Sequence, residues 1–233
     1  MTLRIAVAGI GRLGREIVAL APERDATIVA TFGRDTVISV DALRKAQVEV
    51  VIDVSVAEAV EGNVDACLTA DIPLVIGVTG WHDVMQRVLN RISERHGGVL
   101  IAPNFSVGAT LFSAAVADAA RRFSSALGFD AAIVETHHAI KKDAPSGTAR
   151  SLAAVAGNSR GAEIPVTSIR VGHVPGVHTL VLDSAFEQIT LTHEARDRRV
   201  FADGAILAAR WMRGRRGAFT MNDVVSEMAG DTL

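Results

Sequence analysis

The sequence predicts an α/β protein: a doubly wound parallel sheet first, then a second α+β domain built on a mostly antiparallel sheet. Three observations predict it. Short runs of Ile, Val, Leu and Ala alternate with helical spacing up to residue 102. Gly9-Ile10-Gly11-Arg12-Leu13-Gly14 follows the first of these runs at once, and extended segments without crossover helices between them dominate residues 164–193. The first domain takes in 1–105 and is completed by about 205–233; the second spans 106–204.

The elements follow in order. Residues 3–8 are mostly Ile, Val and Ala, as in a strand buried on both faces, and Arg15–Leu20 continues with helical spacing. Thr27–Phe32 is a second strand, Asp41–Ala46 a short helix and Val48–Val54 a third strand, after which Val56–Glu61 begins another helix. Pro73–Val78 reads as a strand, Asp83–His96 as an amphipathic helix, and Val99–Ala102 as the strand that closes the series. Ser106 is placed to cap a long helix through Phe123. Phe129–Thr136 is a strand, and Ser146 caps a helix to about Ala156. Three extended runs follow at Ile164–Val171, His178–Asp183 and Glu187–His193, then helices at Phe201–Met212 and Asn222–Met228.

Composition narrows the function classes. A net charge of −2 gives no basis for nucleic-acid binding. No uninterrupted apolar run approaches the ~20 residues that span a bilayer. The chain reads directly into its first strand, so no signal peptide is expected, and the single cysteine, Cys67, suits a reducing cytoplasm as a small buried side chain. Arg196-Asp197-Arg198-Arg199 and Arg213-Gly214-Arg215-Arg216 read as solvated faces or subunit contacts. Tyrosine is absent, which leaves His, Lys or a carboxyl group for any catalytic acid.

The glycine motif sits between a strand and a helix, where glycines permit a tight turn, close approach of a pyrophosphate and close helix packing. The first domain is therefore expected to be Rossmann-like and to bind a dinucleotide. Thr31-Phe32-Gly33-Arg34-Asp35 ends the second strand. Arg34 is placed to pair with a 2′-phosphate, which favours NADPH, while Asp35 turned inward would serve the ribose and admit NADH. Asp53-Val54-Ser55, Gly77-Val78-Thr79-Gly80 and Pro103-Asn104-Phe105-Ser106 all end strands on the same edge, across which the cofactor is expected to lie.

Glu135-Thr136-His137-His138-Ala139-Ile140-Lys141-Lys142-Asp143-Ala144-Pro145-Ser146-Gly147-Thr148-Ala149 carries two of the chain's three lysines beside adjacent histidines, just before a helix start. Such a start offers backbone N–H groups and a positive dipole end to a carboxylate or phosphate, so the segment reads as an anion pocket containing an acid. Neighbouring residues at a strand end point to opposite sides, so His137 and His138 do not suit one metal, and no zinc-type spacing accompanies them. His173, His178 and His193 fall on predicted strands and read as core or rim residues, with a place facing the pocket left open for His178.

This segment resembles the signature of the dihydrodipicolinate reductase family (4-hydroxy-tetrahydrodipicolinate reductases of lysine and diaminopimelate synthesis). Gly9 to Gly14, Gly77 to Gly80, Asn104-Phe105-Ser106-Val107-Gly108, Ser168-Ile169-Arg170, His178-Thr179, Thr192-His193 and Phe201-Ala202-Asp203-Gly204-Ala205 extend the similarity in the same order over nearly the whole chain. The resemblance implies that His137 is the catalytic proton donor and Lys141 the second catalytic group; an imidazole near its unperturbed pKa of ~6.5 can be protonated at working pH and supply that proton, so an ordinary histidine pKa is expected for His137. It implies that His138, Gly147 and Thr148 bind a dicarboxylate. Gly9, Ile10, Gly11, Arg12, Leu13, Arg34, Gly77, Val78, Thr79, Pro103, Asn104, Phe105 and Ser106 would line NADPH or NADH. It also implies a homotetramer joined through the substrate-binding second domains. The sequence departs from the family pattern in a tighter glycine loop, in Gly33 where an acid is usual, in a short 35–50 segment and in Val177 in place of a glutamate. Two other readings stay open: a related NAD(P)-dependent oxidoreductase of another amino or imino acid, and a non-catalytic nucleotide-binding regulator.

Overall fold

The first strand, β1 (Leu3–Ala8), is buried almost throughout and divides its side chains between two cores. Leu3, Ile5 and Val7 face one cluster, Ala6 and Ala8 the other. That division is the signature of a sheet covered on both sides, and in this computed structural model, which describes residues 2–230, the covering helices follow in sequence. Met1 and 231–233, the outermost ends of the expected first domain, lie outside the described residues. The chain forms two units, Met1–Val107 with Arg199–Leu233, and Gly108–Arg198.

After β1 come α1 (Arg12–Leu20), β2 (Ala26–Phe32), α2 (Val40–Lys45), β3 (Val50–Asp53), α3 (Val60–Ala70), β4 (Leu74–Ile76), α4 (His82–Glu94) and β5 (Gly98–Ile101). Gly14, Ile17 and Leu20 recur every three residues on the buried face of α1, and Ile17 and Leu20 enter the first core. Ser39 Oγ accepts the Ala42 N–H at 3.2 Å and so starts α2; α3 ends where Asp71 turns left-handed. Ile5, Ile52, Val75 and Leu100 are essentially inaccessible, and burying each such side chain contributes about 1.5–3 kcal/mol. Cys67 lies buried in the second core, where burial pushes its thiol pKa up.

The second unit contains α5 (Val107–Arg122) beyond its first residue, β6 (Asp130–His137), α6 (Gly147–Arg160), β7 (Val166–Arg170), β8 (Val177–Asp183) and β9 (Gln188–Glu194). Its sheet runs β7-β6-β8-β9. β6–β8 and β8–β9 are antiparallel, but β6 and β7 are parallel, and α6 is the crossover between them. The strand-rich stretch thus includes one βαβ unit, because a parallel neighbour requires a long connection and α6 supplies it. Ile133, Leu180 and Leu182 on one sheet face pack with Val116 and Ala120 of α5 and Leu152 and Ala156 of α6. His173, expected on a strand, lies instead in the exposed turn after β7.

The chain then returns to the first unit through α7 (Arg199–Met212), β10 (Gly217–Thr220) and α8 (Met221–Ala229). α7 buries a run of small residues, and a Cβ on Gly204 would lie 1.8 Å from the Phe105 carbonyl oxygen. β5 does not close the sheet: β10 pairs parallel to it, giving the order β10-β5-β4-β3-β1-β2 with every pairing parallel. Arg213, Arg215 and Arg216 are not an idle basic face. They pair with Glu49 at 2.5 Å, Glu227 at 2.5 Å and Asp71 at 2.6 Å, contacts at the surface that water and salt screen.

Candidate active site

Because all six strands of the first sheet are parallel, the loops after β1, β2, β3, β4 and β5 emerge on one edge. The order reverses between β1 and β3, and that switch point is where ligands bind in open α/β sheets. The loop after β3 is built on Asp53, whose carboxylate is fully buried. It accepts from Ser55 N–H at 3.0 Å, Ser55 Oγ at 2.5 Å and Asn63 Nδ2 at 2.8 Å. Gly9, with φ +91, lies against this loop: a Cβ there would sit 2.5 Å from the Val54 carbonyl oxygen. Gly77 is pressed onto the Phe105 ring in the same way, and Asn104 Oδ1 accepts the Ser106 N–H at 2.9 Å.

This edge fits a dinucleotide. Gly14 is needed for packing, since a Cβ would lie 1.9 Å from the Gly9 carbonyl oxygen, whereas a Cβ on Gly11 would meet nothing within 4 Å. Gly11 is the N-cap of α1, which has no side-chain cap, the kind of helix start that takes a phosphate. Ile10, Arg12 and Leu13 lie in the same turn, Val78 and Thr79 follow β4, and Pro103 follows β5. Arg34 and Asp35 are exposed in a turn after β2 that is closed by Gly33 and Thr36.

In the second unit, the face of β6 that supplies Ile133 to the core continues two residues on as Glu135 and two further as His137. β8 does the same with Leu180 and His178. The apolar core therefore gives way, on one sheet face, to a buried polar group. Glu135 is completely inaccessible, His137 8 % and His178 5 % exposed. Arg170, paired with His137 in the β6–β7 register, grips Glu135 with Nη2 at 2.7 Å from Oε1 and Nη1 at 3.0 Å from Oε2. His137 Nδ1 contacts Glu135 Oε2, and the Ser146 N–H donates to Oε1 at 3.2 Å. Ser146 caps α6 by accepting the Ala149 N–H at 3.1 Å, and its Oγ lies 3.2 Å from His178 Nε2. The His137 and His178 rings meet edge-on at 5.1 Å.

The carboxylate is the electrostatic centre. Burial alone would raise the Glu135 pKa, but hydrogen bonds from Arg170, Ser168, His137 and the Ser146 amide outweigh it and hold the group at about 2. Burial lowers the His137 pKa; Glu135 opposes this, while Lys141 and Arg170 add to it. The expectation of an ordinary histidine pKa is thereby corrected. Burial pushes His178 down to about 4, and the charge of His137 works in the same direction. Glu135, His137 and His178 bring ligand atoms within 4.8 Å of one another, a cluster that sequence spacing did not reveal. A cation there would share Glu135 with the Arg170 guanidinium, so the donor set suits a carboxylate–imidazole pair.

Lys141 and Lys142, alike in sequence, part company. Lys141 is largely covered and places Nζ 2.7 Å from Asp143 Oδ1, while Lys142 is exposed. His138 lies just past the end of β6 and is half-buried, and Gly147 and Thr148 begin α6.

Both halves of one family model match this chain. "Dihydrodipicolinate reductase, N-terminus" covers residues 3–105 and "Dihydrodipicolinate reductase, C-terminus" residues 108–225. The chain belongs to the dihydrodipicolinate reductase family. The 4-hydroxy-tetrahydrodipicolinate reductase of Christiangramia forsetii is 34% identical over 97% of this chain and 99% of its own length. That of Gluconobacter oxydans is 38% identical over 95% and 96%. In fold, the chain resembles the dipicolinate-bound dihydrodipicolinate reductase from Paenisporosarcina sp. TG-14, with a TM-score of 0.76 and 22% identity over 94% of this chain and 98% of that one.

In this family fold His137, Lys141, Gly147 and Thr148 lie in one unit, and the residues expected to line the nucleotide lie at one edge of the first sheet. Glu135 and Arg170 stand in the sequence motifs without a part of their own there, and the Ser146–His178 contact and Asn63 appear only in the folded chain. The available signal for Glu135 was its position two residues before His137 on a strand, hence on the same face.

Proposed function

We propose that this chain is an NAD(P)H-dependent 4-hydroxy-tetrahydrodipicolinate reductase, converting that cyclic imine dicarboxylate, with loss of water, to tetrahydrodipicolinate. The observation that carries the reading is the match of both family halves in order along the chain, with the His137–Thr148 segment intact within the second. NADPH is the preferred donor by the position of Arg34, with NADH also used. The chemistry supplied by the bound reduced nicotinamide is a hydride.

The chain's residues do the rest. The hydride leaves an electron pair on the ring that must take a proton, and His137 gives it from Nε2, because Nδ1 is engaged by Glu135. Gly176 keeps that flank clear: a Cβ there would stand 3.0 Å from Nε2. Lys141 neutralises developing negative charge and holds one carboxylate. His138 and the Gly147-Thr148 turn, at the positive end of α6, hold the dicarboxylate in place.

The oligomer proposed is a homotetramer joined through the second sheet. The face of that sheet opposite the core presents Val134, Thr136, Ile169, Thr179, Val181 and Thr192, with Ile169 44 % exposed. Charged side chains on this face sit at its rims, at Asp130, Asp183 and Glu194, so its middle suits a second copy of the same face. No helix among the described residues is long and apolar enough to cross a membrane, and a cytoplasmic location accords with this role.

The test is consumption of reduced nicotinamide with the condensation product of aspartate-semialdehyde and pyruvate. Turnover is expected with that substrate, and its absence with both nucleotides overturns the reading. His137→Gln is expected to lower turnover at least about a hundredfold while nucleotide affinity is kept. Light scattering of the purified protein reads the oligomer.

A further inference from the structure

We propose that Glu135 and Arg170 are positioning residues that fix His137 with Nδ1 tied back and Nε2 presented, and that the same guanidinium fixes the segment carrying Lys141. The inference rests on the reading of His137 as proton donor and adds the parts that hold it.

Glu135 is fully buried at the end of a strand, a costly place for a carboxylate unless every oxygen is engaged. It is engaged: Arg170 supplies two donors, Ser146 one backbone donor and His137 Nδ1 another. An imidazole so held has its Nδ1 committed to donation, which fixes both the tautomer and the ring plane. Arg170 reaches further. Its Nη2 also donates to the Asp143 carbonyl oxygen at 2.6 Å, and Asp143 Oδ1 holds Lys141 Nζ at 2.7 Å. One side chain of β7 therefore joins the partner of His137 to the partner of Lys141. Lysine has a single ammonium and cannot make the three contacts in this fork geometry.

The charged and titratable groups around His137 are Glu135, Arg170, Lys141 and His178. They give the test a sign. Glu135 favours the imidazolium, whereas Arg170 and Lys141 disfavour it. Removing the Glu135 charge must therefore move the His137 titration to lower pH.

The experiment follows the imidazole nitrogens of His137 by NMR in the full-length protein without substrate, in the wild type, Glu135→Gln and Arg170→Lys. The wild type is expected to carry its neutral-state proton on Nδ1. Glu135→Gln is expected to shift the titration midpoint downward and to lower kcat at least about tenfold, with nucleotide affinity within about twofold. Arg170→Lys keeps the charge and is expected to raise the substrate KM as well as lower kcat, because the 141–146 segment loses its anchor. An unchanged His137 midpoint and tautomer in Glu135→Gln, or turnover within about twofold of wild type in both variants, overturns the proposal. The NMR readout needs no turnover, so a wild-type protein inactive on the substrate overturns the functional reading and leaves the positioning test standing.

Discussion

Lys141 Nζ lies 2.7 Å from Asp143 Oδ1, an ion pair across a single intervening residue that turns one of two consecutive lysines inward. The pair lowers the Asp143 pKa, chiefly through the hydrogen bond from Lys141, and leaves Lys142 exposed. Lys141→Gln is therefore expected to reduce kcat/KM at least about a hundredfold, and Lys142→Gln to leave it within about threefold, in steady-state assays with the dicarboxylate substrate.

The two glycines of the nucleotide loop separate packing from binding. Gly14→Ala drives a Cβ to 1.9 Å from backbone and is expected to destabilise by about 1–3 kcal/mol, read as a lower Tm. Gly11→Ala meets no protein atom within 4 Å. It is expected to change stability by less than about 1 kcal/mol while weakening nucleotide binding about tenfold or more, because the methyl fills the phosphate's approach.

Arg34 is exposed at the end of β2, free of the core, so its replacement tests cofactor choice without disturbing the fold. Arg34→Ala is expected to lower the preference for NADPH over NADH about ten- to a hundredfold, the worth of one charge-assisted hydrogen bond, with the NADH parameters little altered. Comparison of kcat/KM for the two nucleotides decides it.

His178 links the site to stability. Its folded pKa is depressed to about 4 from 6.5, so as pH falls the unfolded chain takes up this proton first. Stability from this group is complete above 6.5, falls as pH drops towards about 4 and is then exhausted, a loss on the order of 3 kcal/mol. His137, also lowered, acts with the same sign; Glu135, held at about 2, adds a further loss at lower pH. In denaturant titrations, His178→Gln is expected to flatten the dependence between pH 6.5 and about 4 relative to wild type.

The sequence was most legible where burial is symmetrical. β1, β3, β4 and β5 are covered on both faces and appear as short runs rich in Val, Ile, Leu and Ala, bounded by glycine or polar residues. β10 escaped because Gly217-Ala218-Phe219-Thr220 has no such run and is a strand only by virtue of its pairing with β5. The direction of β7 escaped for a related reason: side-chain alternation is the same in parallel and antiparallel pairs. In the site, His137 and Lys141 were legible as chemistry on a short segment. Arg170 was not, because its meaning comes from the register that sets it opposite His137, and the lowered His137 pKa was not, because burial is a property of the packed unit.

The edge strand contributed by residues 217–220 has a consequence for synthesis. Residues 108–198 form a contiguous unit, whereas the nucleotide-binding unit is assembled from both ends of the chain. On the ribosome, where the chain emerges N-terminal first, the middle unit leaves before α7 and β10 do. The sheet that begins first is thus the one finished last, its six-stranded form waiting on the emergence of residues 217–220.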